Sequence, residues 1–311
     1  MWLVGMDEAG YGPNLGPFVM SAVGCRLRGQ PPACLWEALG AAVRRAGGKR
    51  DARLILDDSK RIYSSGKTLG GLERGIGAIL GGLPPTLADL VARLAPEDTA
   101  ELAEEIWYTG TTPLPRGVNN DAETQTAFRL ACDTAGIHDW TVRSVIVCPP
   151  RFNRLIQRAG TKSIVLADAF VRLLRGFVES AEGQPLEVTA DKQGGRNTYL
   201  LQIQQAVGGL VRVLEETEEE SRYEALHGEA PVRVRFIPRA DGANLCVAVA
   251  SMVSKYVREL CMNEFNTFWC QHLPGLVPTA GYPGDAPRYL EAIRATAETL
   301  GVSHDAIWRE R

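Results

Sequence analysis

An α/β fold, with a mixed β-sheet flanked by helices, is what this sequence predicts, and three observations predict it. Two apolar runs near the start, 2–6 and 18–23, are separated by a glycine-rich turn and read as an antiparallel strand pair. From residue 142 onward, short strand-like segments alternate with stretches of helical spacing. From about residue 245 the pattern is helical. The 311 residues, 45% of them hydrophobic, suffice for a substantial core and are read as one domain over 1–311.

Each element follows from its local pattern. The first strand, Trp2-Leu3-Val4-Gly5-Met6, runs into Asp7-Glu8-Ala9-Gly10-Tyr11-Gly12-Pro13, and the second is Phe18-Val19-Met20-Ser21-Ala22-Val23. Gly10 and Gly12 supply the turn between them, and Pro13 fixes the backbone behind it. Residues 36–46 suit a helix. The apolar stretch Arg53-Leu54-Ile55-Leu56 stops at Asp57-Asp58-Ser59-Lys60, after which 66–83 carries Leu69, Leu72, Ile76 and Leu80 at helical spacing. Composition then shifts to Pro-bounded acidic segments over 84–120, read as an inserted helical subregion, and 197–230 is read as a second insertion. Between them lie a helix over 122–135, a strand over 142–148 and an amphipathic helix over 164–178, with Leu166, Phe170, Leu173 and Leu174 inward. Residues 186–190 make a strand ending at Asp191, 199–207 a helix, and 232–237 a strand of clear alternation. The acidic run 214–220 reads as solvated surface. Asp241 follows the last strand and opens an apolar segment whose residues 245–260 form a long helix.

The bulk chemistry excludes several classes. Formal net charge is −3, so no overall basic field draws in a polyanion, and contact with nucleic acid needs a local patch or a bound metal. The seven cysteines are odd in number and lack paired short spacing, which points to reduced thiols and away from a disulfide framework. The four histidines are isolated from one another, which argues against zinc. No apolar run is long enough for a bilayer span and no basic leader precedes the first strand, so the expectation is a soluble cytoplasmic protein without a membrane partner.

Four acids carry the candidate chemistry. Asp7, Glu8, Asp191 and Asp241 each stand at or just after the end of an apolar strand, or at a helix start. Successive strand residues point to opposite faces, so Glu8 can share a site with Asp7 only where the strand ends and the backbone turns. Converging carboxylates repel unless neutralised, and a hard divalent cation is the natural neutraliser. Two such ions form a centre suited to phosphodiester hydrolysis. An ordinary set of acidic turns is the other reading that spacing leaves open.

At these residues the chain resembles the type 2 ribonucleases H, the ribonuclease HII and HIII family. Gly5-Met6-Asp7-Glu8-Ala9-Gly10-Tyr11-Gly12-Pro13 with Gly16-Pro17 is similar to the family's first motif, and Asp58-Ser59-Lys60 to its Asp-Ser-Lys element. Asp241 followed by Ala248-Val249-Ala250-Ser251, Lys255 and Arg258 resembles the motif in which an Asp opens a small-residue helix, and Gly281-Tyr282-Pro283 resembles the later Gly-Tyr element. The matches occur in family order and bracket nearly the whole chain.

The resemblance implies a ribonuclease H-like fold with a helical C-terminal region, and Mg²⁺ or Mn²⁺ as cofactor, as a pair of ions. It implies cleavage of RNA in RNA–DNA hybrids or incision at ribonucleotides in duplex DNA. Asp7, Glu8 and Asp241 match the family's metal ligands directly, and Asp191 is the candidate for the fourth. Gly10, Tyr11, Gly12, Ser59, Lys60, Ser251, Lys255 and Tyr282 are the implied substrate contacts. Lys60 and Lys255 would hold phosphates or tune the acids, and Tyr282 would stack on a sugar. Two departures stand out. Tyr11 occupies a position where the family commonly carries Arg or Lys, and could stack on a nucleotide or simply pack. The stretch 191–197 departs from family sequence, so Lys192 or Arg196 is either a phosphate contact of this branch or a loop charge. With the first motif at residue 5, the chain is read as lacking the amino-terminal binding domain usual in ribonuclease HIII.

Two rivals remain: a nucleic-acid-binding protein of this fold with weak or lost turnover, and a nucleotide hydrolase. The second needs a phosphate loop, of which Ser65-Gly66-Lys67-Thr68 is only the tail.

Overall fold

The computed structural model describes residues 1–47, 51–63, 68–117, 122–194 and 196–310. In chain order the strands are β1 (Trp2–Ala9), β2 (Phe18–Leu27), β3 (Val43–Arg44), β4 (Leu54–Ile55), β5 (Ile137–Val147), β6 (Leu186–Asp191), β7 (Val211–Glu216), β8 (Ser221–His227) and β9 (Ala230–Ile237). Among the described residues, seven of them form one mixed sheet of order β5-β2-β1-β6-β9-β8-β7. The β1–β2 pair is antiparallel, as its glycine turn predicts, while β1–β6 and β6–β9 are parallel and the two flanks are antiparallel. The mixed sheet flanked by helices is therefore what the structure shows.

The helices are α1 (Leu35–Ala38), α2 (Ser59–Tyr63), α3 (Gly70–Leu80), α4 (Leu87–Leu94), α5 (Thr99–Ala103), α6 (Ala122–Thr134), α7 (Pro149–Ala159), α8 (Ser163–Ser180), α9 (Leu200–Val207), α10 (Ala240–Ala243), α11 (Leu245–His272), α12 (Ala286–Thr299) and α13 (His304–Ile307). The central strands are buried on both faces. On one face Trp2, Val4 and Met6 of β1 pack with Phe170, Leu174 and Phe177 of α8. On the other, α11 lies against β1 and β2, its start capped by Asn244, whose side chain accepts from Val247 N at 3.2 Å. That contact is unusually close at Gly5, where a Cβ would stand 2.0 Å from Val247 N. Glycine is what lets the helix backbone rest on the strand. A third core, with Leu15, Trp107, Phe265, Trp269, Tyr289 and Ile307, joins the end of α11 to α12 and α13.

Several boundaries differ from the sequence expectation. The helix expected over 36–46 stops after Ala38, because residues 42–44 turn extended and trade backbone hydrogen bonds with 54–56 (Leu54 N to Ala42 O, 2.8 Å; Leu56 N to Arg44 O, 3.1 Å). The 66–83 helix is α3, ended by Gly81 in the left-handed region, and residues 64–67, which hold most of the phosphate-loop tail, lie outside the described residues. The acidic run 214–220 is not wholly loop: β7 spans Val211–Glu216 and closes the sheet as an edge strand. Half of its residues are charged and most are exposed, as an edge strand at the surface allows. The segment 197–230 thus adds a helix and two strands to the sheet. Within 84–120, α4 and α5 form as expected, and the rest of the described stretch is held by side chains: Glu264 accepts from Thr109 N (2.8 Å) and Gly110 N (3.0 Å), and Glu73 from Arg116 N (2.6 Å) and Gly117 N (2.8 Å). The 28-residue α11 outruns its predicted end by twelve residues, 260 to 272. Among the described residues no helix is long and apolar enough to cross a membrane.

Candidate metal and nucleic-acid site

The sheet brings the acids together by topology. β1 and β6 are parallel neighbours with Met6 opposite Ala190, so Asp7 and Asp191 stand next to each other at the carboxyl ends. Both lie on the face turned to α11, since Gly5 and Thr189 two residues earlier face that helix's start. β9 runs parallel beside β6, with Asp191 opposite Ile237, and leads into α10, which carries Asp241. The Asp191 Oδ1 accepts from Lys192 N at 2.9 Å and from Ala240 N at 3.4 Å, tying the strand end to that helix.

Glu8 reaches the site by a route that sequence reasoning did not anticipate. β1 does not end at Met6; it continues to Ala9, paired with β2 through Ala9 and Val19. Pairing with β6 does end at Met6 and Ala190, so the last turn of β1 overhangs its neighbour and leaves room for both carboxylates.

The electrostatics mark this as one cluster. Burial pushes the Asp7 carboxyl well above the ordinary carboxylate range, and the charges of Glu8 and Asp241 push it further, against a hydrogen bond from Ser251. Burial, then the charge of Asp191, lifts Glu8 to about 7, with Lys60 opposing. Asp241 is raised by burial, then by Asp58 and Asp191. Asp58 is a fifth acid that the sequence reading passed over. It heads the Asp58-Ser59-Lys60 element and follows an apolar stretch, the same signal that singled out the others.

Ser59 and Ser251 act together: their hydroxyls are 3.0 Å apart in a buried contact, and Ser251 reaches Asp7, so α2 and α11 both orient that carboxylate. Ser254 Oγ adds a bond to Asp7 O at 3.0 Å. Lys60 is exposed at the mouth, within electrostatic reach of Glu8 and Asp241. Lys255, one turn beyond Ser251 on α11, is paired. Its Nζ is 2.6 Å from Glu259 Oε1 and 4.6 Å from the centre of the Tyr63 ring.

The glycine loop is braced from behind. Gly10 has φ +86°, and a Cβ there would meet Arg258 Nε at 2.4 Å, so glycine is required twice over. Gly12 is exposed and unconstrained in both respects. Arg258 Nη2 donates to Leu15 O (3.2 Å) and Ala280 O (3.0 Å). Asn14 N donates to Gly281 O at 2.7 Å, which brings the Gly-Tyr element beside the loop with Tyr282 about half exposed. The chain end completes the brace: Arg309 N donates to Asn14 O at 2.8 Å and the Arg309 guanidinium to Pro13 O. Tyr11 packs edge-on against Phe18, ring centres 6.3 Å apart, with Lys162 Nζ 4.9 Å from its own ring centre. Lys192 Nζ donates to Asn197 Oδ1 (2.8 Å) and Thr217 O, bridging its own loop to the β7–β8 turn, and Arg196 Nη2 donates to Ser163 Oγ at 2.9 Å.

The donor chemistry fits a hard divalent cation: buried or half-buried, mutually repelling carboxylate oxygens opposed by the exposed Lys60. As the side chains stand, no three of the described Asp, Glu, His and Cys residues are close enough together to hold one ion. Gathering them requires the carboxylates to rotate inward, which repulsion opposes until positive charge arrives.

No family model and no curated protein sequence matches the chain. Among solved structures it is similar to ribonuclease HII of Archaeoglobus fulgidus, solved in complex with PCNA, at 14% identity and a TM-score of 0.46 over 100% of this chain and 95% of that one. It is similar to ribonuclease H2 of Pyrococcus horikoshii OT3 at 17% identity and a TM-score of 0.43, covering 99% and 92% of the two chains. Bst-RNase HIII in complex with Mn²⁺ matches at 16% identity and a TM-score of 0.44, covering 99% of this chain and 66% of that one.

Proposed function

We propose that this chain is a divalent-metal-dependent endoribonuclease of the ribonuclease H type. It hydrolyses the RNA strand of RNA–DNA hybrids or incises at ribonucleotides embedded in duplex DNA, leaving 3′-hydroxyl and 5′-phosphate ends. One observation carries the reading: four acids from three separated segments stand at the carboxyl ends of neighbouring parallel strands or at the helix start that follows, where the charges of Glu8, Asp191 and Asp241 raise the proton affinities of their neighbours. Asp7, Glu8, Asp191 and Asp241 would hold the ions. Bound Mg²⁺ or Mn²⁺ supplies the positive charge that a phosphodiester and these carboxylates lack together.

The chain's own residues do the rest. Ser59 and Ser251 fix Asp7, so one ligand is aimed before any cation enters. Gly10 turns the backbone without a side chain, which lets a sugar 2′-hydroxyl approach main-chain groups; that hydroxyl is what separates RNA from DNA. Tyr282, exposed beside this loop, offers a face to the neighbouring sugar, and Lys60 offers a cation at the mouth. Lys255, paired with Glu259, serves this reading only through that pair. The cysteines, all free thiols, suit a reducing compartment such as the cytoplasm.

Cleavage of three end-labelled duplexes tests the reading: a DNA with one ribonucleotide, a continuous RNA–DNA hybrid and an all-DNA control, each with Mg²⁺, Mn²⁺ or chelator. Metal-dependent cutting of an RNA-containing duplex is expected from the wild type, with a loss of at least about 10³-fold in Asp7→Asn. A second reading, a binding protein of this fold without turnover, is favoured by the spacing of the acids, no three of which stand together as placed. Hybrid binding without cutting under any metal would establish it instead.

A further inference from the structure

The two faces of β9 differ in what they carry. Val232, Val234 and Phe236 are buried in the core shared with α8, whereas Arg233 and Arg235 between them are exposed on the opposite face. Register sets this second face against β6: Arg233 stands opposite Glu187, Arg235 opposite Thr189 and Ile237 opposite Asp191. Along one ladder the surface passes from an acid–base pair, through a cation beside a neutral hydroxyl, to a candidate metal ligand. The neighbouring arginines are neutralised: Arg233 by Glu187 (3.6 Å) and Glu224 (3.0 Å), Arg222 by Glu215 (2.6 Å) and Arg212 by Glu224 (3.1 Å). Arg235 forms no ion pair among the described residues, and its Nε donates to Thr189 Oγ1 at 3.0 Å. Strand and residue spacings put its Cα about 8 Å from that of Asp191. The face opens into a cavity of about 460 Å³ lined by Trp36, Thr189, Arg233, Arg235 and Asn244, a size that admits one link of a nucleic-acid strand. Arg45 stands at its rim, its guanidinium 3.7 Å from the Trp36 ring centre and its Nη1 donating at 2.9 Å to the carbonyl of Gly242, next to Asp241.

A nucleic-acid strand drawn to four carboxylates meets repulsion at every phosphate that the ions do not neutralise, so the site needs cations flanking the acids. We propose that Arg235 binds a phosphate of the substrate strand where that strand leaves the site across β9, with Arg45 as the second cation of the path. The inference rests on the nuclease reading above and adds to it a substrate contact and a direction for the strand. One N–H of the guanidinium is spent on Thr189 and the others are left for an anion. A phosphate entering here displaces no carboxylate, whereas at Arg233, two residues away, it would have to displace two. The bond to Thr189, whose hydroxyl also receives Asn244 Nδ2 at 3.4 Å, turns Arg235 from Asp191 and leaves that acid to a cation.

The test measures the affinity of a fluorescent RNA–DNA hybrid for Asp7→Asn protein, with and without Arg235→Gln, across a series of salt concentrations, melting curves confirming that each variant folds. The Arg235→Gln change should weaken binding by roughly 3–10-fold near 0.1 M salt and lower the slope of log Kd against log salt by about one phosphate contact. Arg235→Lys should keep the slope, and so should Arg212→Gln, which removes a paired arginine of the exposed edge strand. In the Asp7-intact enzyme, Arg235→Gln should raise KM with little change in kcat. A salt slope and KM unmoved by Arg235→Gln, or a slope lowered as much by Arg212→Gln, would overturn this inference alone. Wild-type protein that neither binds nor cuts the hybrid would overturn both it and the nuclease reading.

Discussion

Two sets of buried carboxylates divide this molecule by how they are satisfied. Asp98, 2% exposed, accepts from Ile146 N (2.8 Å), Arg151 Nη1 (3.0 Å) and Arg172 Nη2 (2.8 Å). Glu264 accepts five hydrogen bonds from Thr109, Gly110 and Thr112, and Glu73 three from Arg116, Gly117 and Tyr256. These acids staple the 84–117 segment to β5 and α11. At the carboxyl end of the sheet, burial and neighbouring acids (Glu8 for Asp7, Asp191 for Glu8, Asp58 for Asp241) raise the proton affinities of Asp7, Glu8 and Asp241. A buried carboxylate surrounded by donors is finished as a structural part; one surrounded by other carboxylates is complete only with a cation. The difference separates scaffold from site without reference to any relative.

The sharpest way to break this contrast is to remove one acid of each kind. Asp98→Ala should cost about 3 kcal/mol, because it strips a shared partner from two guanidiniums and from a strand amide. A melting temperature lowered by roughly 5 °C would show it. Asp7→Asn should do the reverse in chelator. The raised Asp7 pKa means that the folded state holds its proton more tightly than the unfolded chain, so ionisation costs stability as pH rises above the ordinary carboxylate range. The Asn variant should therefore melt no lower than wild type at pH 8 while losing cleavage. If Asp7→Asn melted as low as Asp98→Ala, Asp7 would belong with the scaffold.

Glu105 tests the boundary between the two sets. It accepts from Trp107 Nε1 at 2.8 Å and lies beside the Cys148 thiol, and burial outweighs both to push it up to about 7. The folded state holds this proton up to about pH 7, whereas the unfolded chain releases it near the ordinary Glu value. Stability from this group is full below about pH 4.5 and falls as pH rises to about 7, by on the order of 2–3 kcal/mol. Glu105→Gln should flatten that fall, melting higher than wild type at pH 8 and close to it at pH 4.5. Unfolding curves at the two pH values decide it, and an equal shift at both would mean that the gain has nothing to do with the proton.

Much of the scaffold was legible because β1, β2, β6 and β9 carry strong apolar patterns and α8 and α11 have long buried faces. What escaped notice was set by tertiary context. The acidic run 214–220 reads as solvated surface and is one, but its first three residues belong to an edge strand that carries no apolar face to announce it. The helix expected over 36–46 gives way to β3, whose partner lies eleven residues on in the sequence and exerts no local signal. For the site, Asp7, Glu8, Asp191 and Asp241 were readable as strand-end acids. Asp58 was visible in its motif but hidden by attention to Ser59 and Lys60.

Lys60 gives the finest test, since its charge opposes two members of the acid cluster, Glu8 and Asp241. It is exposed, so its contribution to folding should lie within about 0.5 kcal/mol, and Lys60→Gln should leave the melting temperature nearly unmoved. Its charge nevertheless lowers the proton affinity of both Glu8 and Asp241. Without it, the acids attract protons and cations alike more strongly, so Mn²⁺ should bind more tightly where the acids are already ionised and gain less where the strengthened protons compete. Isothermal titration of Mn²⁺ into Lys60→Gln should show a few-fold gain at pH 8.5 and a smaller one at pH 6.5. Mn²⁺ affinity equal to that of the wild type at both would mean that Lys60 exerts no field on the metal ligands, and its role would then be confined to the substrate strand.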